Sequence, residues 1–271
     1  MPKSKETIQS REDAIKYVSE HLPGSQFAFA KLSKDEFVAQ LLKRIQRPKL
    51  INQGQTNFCG PAAALHALAK DDPVAYAKLG LDLFVTGKAM LRGWTVDAGN
   101  LTQQAIPDDK KIDCCDWVMM ACVRKNVGFG HLTDLAVTVG GTYPKEVASA
   151  LLGMGYKDVR NETYTSKLWM NSEKNLAEAS VLCEKGYRVI LFVNDNMFKN
   201  PAKSGLLADH FCTLKSKVLI NDAKIFCRVW QWGLDHKEPK SDPTSHTINL
   251  PKEQFIGNYF GYLAGGEYQR A

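Results

Sequence analysis

The sequence has no apolar run long enough to span a membrane, and its first residues, "MPKSKETIQSRED", lack the apolar core of a secretory signal. A Sec-type leader and a bilayer anchor are therefore not expected, and the chain reads as one made in the cytoplasm. It also lacks any C-x-x-C pair, and its seven cysteines are an odd number without zinc-ligand spacing. That argues against a disulfide-stapled secreted scaffold and a structural zinc site, so no metal and no cofactor are expected. Like charge is not concentrated anywhere. The net charge is +6, and the densest basic group, Lys43, Arg44, Arg47 and Lys49, reads as a solvated helix face, so a nucleic-acid partner is not expected. Repeats, low-complexity tracts and linkers are missing too. At 271 residues the chain reads as a single catalytic domain, 1–271, with some elaboration.

What is present falls into two textures. "SREDAIKYVSEHL" and "SKDEFVAQLLKRIQ" each pair a Ser N-cap with a helical apolar period. "CGPAAALHALAK", "DDPVAYAKLGLDLFVTG", "KKIDCCDWVMMACVRKN", "YPKEVASALLGMGY" and "SEKNLAEASVLCEKGY" continue the helical series. A polar loop around residues 97–109 joins the second and third of these. From Arg188 onward, "RVILFVND", "DHFCTLKSKVLI" and "AKIFCRVWQWG" are rich in β-branched and aromatic residues, with a turn expected at Asn221-Asp222. A short helix, "LPKEQFIG", precedes a last strand, "NYFGYLAGG". The fold class is α+β, with N-terminal helices (1–50), a helical half (51–187) and an antiparallel sheet half (188–271).

Within "QGQTNFCGPAA", Cys59 opens a helix straight after a glycine-containing loop. The macrodipole and unpaired amides of a helix start stabilise a thiolate, the competent nucleophile for acyl transfer. Gln53, six residues earlier and followed by Gly54, is placed to donate to a developing oxyanion. As plain structure, Cys59 is a small residue in a helix start and Gln53 a loop amide. Cys114, Cys115 and Cys122 read as buried small hydrophobes.

A thiol nucleophile needs an imidazole. His66 lies too far along the Cys59 helix, His21 caps a helix end, and His131 sits in the loop "GFGHLTD". His236 and His246 flank the polar loop "KEPKSDPTS" and read as solvent-facing. His210 opens a strand, which gives its ring a rigid base. With a two-residue hairpin at Asn221-Asp222, Ile220 pairs with Ala223, Cys212 with Gln231 and His210 with Gly233. His210, Cys212 and Gln231 then share one face, and the Gln231 amide reaches the imidazole diagonally. Asp222 is the weaker alternative, being far from His210 in that register. As plain structure, Gln231 is a polar residue in a strand.

The ordered set Gln53-Gly54, Cys59, His210 and "VWQWG" resembles the papain-like cysteine peptidases. "NFCGPAA" is similar to their bacteriocin-processing and related bacterial branches, while Trp230 stands where the family has Asn. The resemblance covers about a tenth of the chain by motif. It implies a peptidase acting on a protein substrate through Cys59, His210, Gln53 and Gln231. More narrowly, the chain resembles papain-like toxin domains delivered by type VI secretion. That would imply activity in a target-cell cytoplasm, a secretion-apparatus carrier and a cognate immunity protein in the producer. The same residues suit a glutamine deamidase or transglutaminase-like toxin, and a papain-fold binding module without catalysis is the third reading.

Overall fold

The computed structural model describes residues 5–22, 24–128, 141–166, 171–199, 203–231 and 245–268. Among these, the chain forms two compact units, one of residues 5–142 with 153–155, the other of residues 143–152 with 156–268. His131, His236, the loops that carry them and Gly233 lie outside the described residues.

The first unit is helical. α1 (Lys5–Glu20) starts before the expected Ser10 cap, so Ser10 lies inside the helix. α2 (Lys34–Gln46) begins as read: the Ser33 oxygen accepts from the Glu36 amide at 3.3 Å. α3 (Cys59–Asp71) is buried from Cys59 through Ala69, as an alanine-rich helix without a polar face must be. α4 (Pro73–Thr86) takes Asp72 as N-cap and ends at Gly87 in the left-handed region. A short hairpin, β1 (Lys88–Leu91) and β2 (Trp94–Asp97), follows where the sequence reads as helix end and polar loop. Four residues per strand are too few to show a period. α5 (Cys114–Val127) buries Cys114, Cys115 and Cys122. Phe37 stacks on Phe84 at 4.1 Å, and Phe29 meets Trp117 edge-on, tying α2, α4 and α5 together.

The second unit packs helices on an antiparallel sheet. α6 (Pro144–Gly153) leads to β3 (Tyr156–Thr163), and α7 (Ser172–Glu184), capped by Asn171, leads to β4 (Arg188–Val193). The remaining elements are β5 (His210–Leu214), β6 (Leu219–Ile220), β7 (Lys224–Trp230), β8 (Ser245–Pro251), α8 (Lys252–Asn258) and β9 (Tyr259–Tyr268). Strand order is β3-β9-β4-β5-β7-β6, with β8 also on β7. α6, β3 and α7 belong with this sheet, so the sheet-bearing unit begins well before Arg188. β3 and β8 escape a sequence reading because polar residues dominate them; β3 is an edge strand exposed at half its positions.

The expected β5–β7 register is reached by a different path. The two-residue turn is Asp222-Ala223, not Asn221-Asp222: the Asn221 amide donates to Lys224 O at 3.0 Å, and Ile220 faces Ile225. Asn221 Oδ1 fixes the turn by accepting from the Ala223 and Lys224 amides. That moves the register by two. Between the Leu214–Val229 and Leu219–Phe226 pairs, five steps on one strand face three on the other, which moves it back. The bulge is held by Ser216 Oγ, which accepts from the Arg228 amide, and by Ser180 Oγ, which accepts from the Val218 amide.

Candidate active site

Cys59 is the first residue of α3 and only 6% exposed. No side chain caps this helix at Phe58, and Pro61 brings no N–H, so the positive end of the dipole lies at the thiol. The loop before it is built from inside the unit. Asp116 Oδ2 accepts from the Asn52 amide at 3.1 Å, Asn52 Oδ1 accepts from the Gly54 amide at 2.9 Å, and the Gln55 amide donates to Lys110 O at 2.6 Å. The Gln53 carbonyl accepts from the Thr56 hydroxyl and amide. The buried Gln53 Oε1 has no hydrogen-bond partner among the described residues.

Gly54 is required where it stands. Its φ is +57, and a Cβ would meet the backbone oxygens of Lys110 and Lys111. Gly54→Ala is expected to lose more than about 1 kcal/mol of stability in chemical denaturation, with slower alkylation of Cys59 as the Gln53 loop shifts.

Behind this loop stands an ion pair that the sequence does not announce. Arg44, read as solvated, is 4% exposed. Its Nη2 donates to Asp116 Oδ2 at 2.6 Å and to Asp113 Oδ2 at 2.5 Å. Burial pushes the Asp116 carboxyl up to about 6 in spite of the guanidinium, and the neighbouring carboxylates hold Arg44 firmly protonated. Partners 72 residues apart leave no local sequence signal.

In the second unit, His210 opens β5 opposite Val193. Its imidazole is hydrogen-bonded to the side chain of Gln231, which is 3% exposed and lies one residue past β7. Extending the Thr213–Trp230 pairing by one step puts Gln231 across from Cys212 and diagonal to His210. Gln231 Nε2 has no partner among the described residues. The structure thus brings His210 and Gln231 together in one unit, while Cys59 and Gln53 both belong to the other. Asp222, at the hairpin tip, is exposed.

Five further residues shape the His210 environment. Phe198 stands edge-on to the imidazole, with ring centroids at 5.8 Å, and also edge-on to His246 at 6.1 Å. His246 is therefore half-buried on β8 beside Phe198, not solvent-facing; its strand packs on β7 where the sequence shows only a polar loop. The loop entering His210 is fixed by Asn258, fully buried, whose Oδ1 accepts from the Gly205 amide at 2.9 Å, and by Asn194, which donates to Leu207 O at 2.6 Å. Asp209 accepts from the Asp195 amide at 2.8 Å.

Burial pushes the His210 imidazole down to about 4, against the opposing pull of Asp195 and Gln231. The ring is neutral at pH 7. In the unfolded chain an imidazole titrates near 6.5. The stability from a neutral, half-buried His210 is thus complete above pH 6.5 and is lost as pH falls from there through about 4, up to about 1.4 kcal/mol per unit. Urea unfolding at pH 7 and pH 4.5 should show a larger loss for the wild type than for His210→Gln.

No protein-family model matches the chain, and no curated protein sequence does either. Among the described residues, no helix is long and apolar enough to cross a membrane, and no cluster of three His, Cys, Asp or Glu side chains is arranged to hold a metal.

Proposed function

We propose that the protein is a cysteine peptidase of the papain-like kind, acting as a toxin on a protein of a rival bacterial cell. Cys59 is the nucleophile, His210 the base, Gln53 the oxyanion donor and Gln231 the residue that orients the imidazole. The observation that carries this reading is the His210–Gln231 hydrogen bond, in which a base at the start of a rigid strand has its ring held by a buried amide.

A neutral imidazole decides how the first step runs. His210 takes the thiol proton as the Cys59 sulfur attacks the substrate carbonyl, so no thiolate–imidazolium pair need stand beforehand. The carbonyl oxygen gains the charge, which the Cys59 N–H and the Gln53 amide stabilise. The imidazolium then protonates the leaving amine as the C–N bond breaks. In the second half, His210 removes a proton from water, which attacks the thioester and releases acid and free thiol. In the producing cell, a cognate immunity protein restrains the activity, and a type VI carrier delivers it.

The test is expression of wild type and Cys59→Ala in a susceptible bacterium, followed by proteome-wide mapping of new protein termini. Cys59-dependent termini support the peptidase. A mass shift of about one dalton at glutamines without cleavage would replace it with deamidation.

A further inference from the structure

Next to the loop that carries Gln53, the first unit holds an open cleft of about 320 Å³. Glu36 and Gln40, one turn apart on the same face of α2, form one side of it. The turn Asp108–Lys110 and the start of α5 border the other. Gln40 Oε1 accepts from the Cys115 amide at 3.0 Å, which ties the two sides together. The same stretch of chain backs the Gln53 loop, since Lys110 O accepts from the Gln55 amide and Gly54 abuts the Lys110 and Lys111 carbonyls.

Three properties of the lining define a guest. Ile106, Pro107 and Ile112 supply apolar surface for a hydrocarbon stem. Carboxylates outnumber cations, although the chain as a whole carries a net charge of +6. Glu36 and Asp108 make no ion pair among the described residues, Asp113 shares the Arg44 guanidinium with Asp116, and Lys111 is the one cation in the lining. Last, the Cys114 thiol lines the cleft, is 6% exposed and makes no hydrogen bond among the described residues. Burial and the carboxylates of Glu36, Asp113 and Asp116 push it up to about 12, against the pull of Arg44, so it stays a neutral thiol in a negative field.

These walls suit a cation on an apolar stem. A guanidinium fits better than an ammonium: it is more weakly hydrated, so it loses less on entering a cleft walled by isoleucine and proline, and its planar fork can engage two carboxylates. A metal ion would leave the apolar wall unused, and no three His, Cys, Asp or Glu side chains among the described residues are arranged to hold one. Glu36, Asp108 and Lys111 are exposed, so a side chain can enter while its own main chain stays outside, within reach of the Lys111 ammonium as donor to a carbonyl.

We infer that this cleft binds an arginine side chain of a polypeptide, with its stem on Ile106, Pro107 and Ile112 and its guanidinium on Glu36 and Asp108. The inference does not depend on the peptidase reading, because none of these residues takes part in that chemistry.

The experiment is a heteronuclear NMR titration of the full chain with Nα-acetylarginine amide, its citrulline and lysine counterparts, and free arginine. Shifts centred on residues 36–40 and 106–114 are expected, with a Kd on the order of 1 mM for a single side chain. Citrulline keeps the shape without the charge and should bind about tenfold more weakly, as should the arginine amide to Glu36→Gln with Asp108→Asn. Both substituted positions are exposed, and the rest of the spectrum reports whether the variant is folded. The inference is overturned by no shifts up to about 50 mM ligand, which lies far above the expected Kd. Shifts centred elsewhere, a citrulline or lysine amide that binds as well as the arginine amide, or a Kd indifferent to the double variant would overturn it too. Free arginine binding tenfold more tightly than the capped form would overturn the polypeptide source and give the cleft to the free amino acid.

Discussion

Cys59→Ala should lower the rate of substrate cleavage by at least about 10⁴-fold while leaving the unfolding midpoint close to that of the wild type. The rate expectation follows from the proposed role of Cys59 as nucleophile, whose loss would remove the covalent pathway and leave only binding and oxyanion stabilisation. The stability expectation follows from place. Cys59 is a small, almost fully buried residue at the first position of α3, and alanine fits there with a good helix propensity and the loss of a single sulfur atom. Chemical denaturation and single-turnover kinetics on the same preparations check both halves. A folded Cys59→Ala protein that still cleaved would remove Cys59 from the mechanism outright.

The second large effect lies at Arg44. Replacing it by Met leaves the Asp116 carboxylate, 1% exposed, without its guanidinium partner. Breaking a buried pair in this way costs about 3–5 kcal/mol. For a chain of this size that corresponds to a fall of roughly 6–20 °C in the melting temperature of the unit that holds the pair. The double variant Arg44→Met with Asp116→Leu should recover most of that stability, because an apolar pair of similar volume replaces the charges. It should not recover Cys59 reactivity. Asp116 Oδ2 also receives the Asn52 amide, and Asn52 in turn holds Gly54, so the loop carrying Gln53 loses its anchor. Calorimetry of the three proteins together with iodoacetamide labelling rates separates the two contributions.

Much of this was legible in the residues. The α+β segregation, the start of α3 at Cys59, the Ser33 cap and the shared face of His210 and Gln231 each follow from local rules: helix caps, apolar period and strand alternation. The Gln231 placement is instructive because two departures offset each other, a turn moved along by one residue and a bulge of two extra residues at Ser216-Lys217. Both are even changes of register, so the face survived them. The parts that stayed hidden depend on distant partners. Arg44 meets Asp116 across 72 residues, and Gly205 meets Asn258 across 53. The short hairpin of β1 and β2 and the polar strands β3 and β8 had no hydrophobic alternation to reveal them.

The position of β9 bears on how a cell can make this protein. Residues 259–268 follow every other described strand in the chain, yet they lie inside the sheet between β3 and β4. While those residues are still in the ribosome, β3 and β4 have no neighbour to join them, and the Tyr259–Tyr262 side of the core is missing. Asn258, which fixes the loop entering His210, arrives at the same late moment. The loop that leads into His210 thus gains its Asn258 anchor only after β3 to β8 have been made, so a chain stopped before residue 258 lacks the contact that places it.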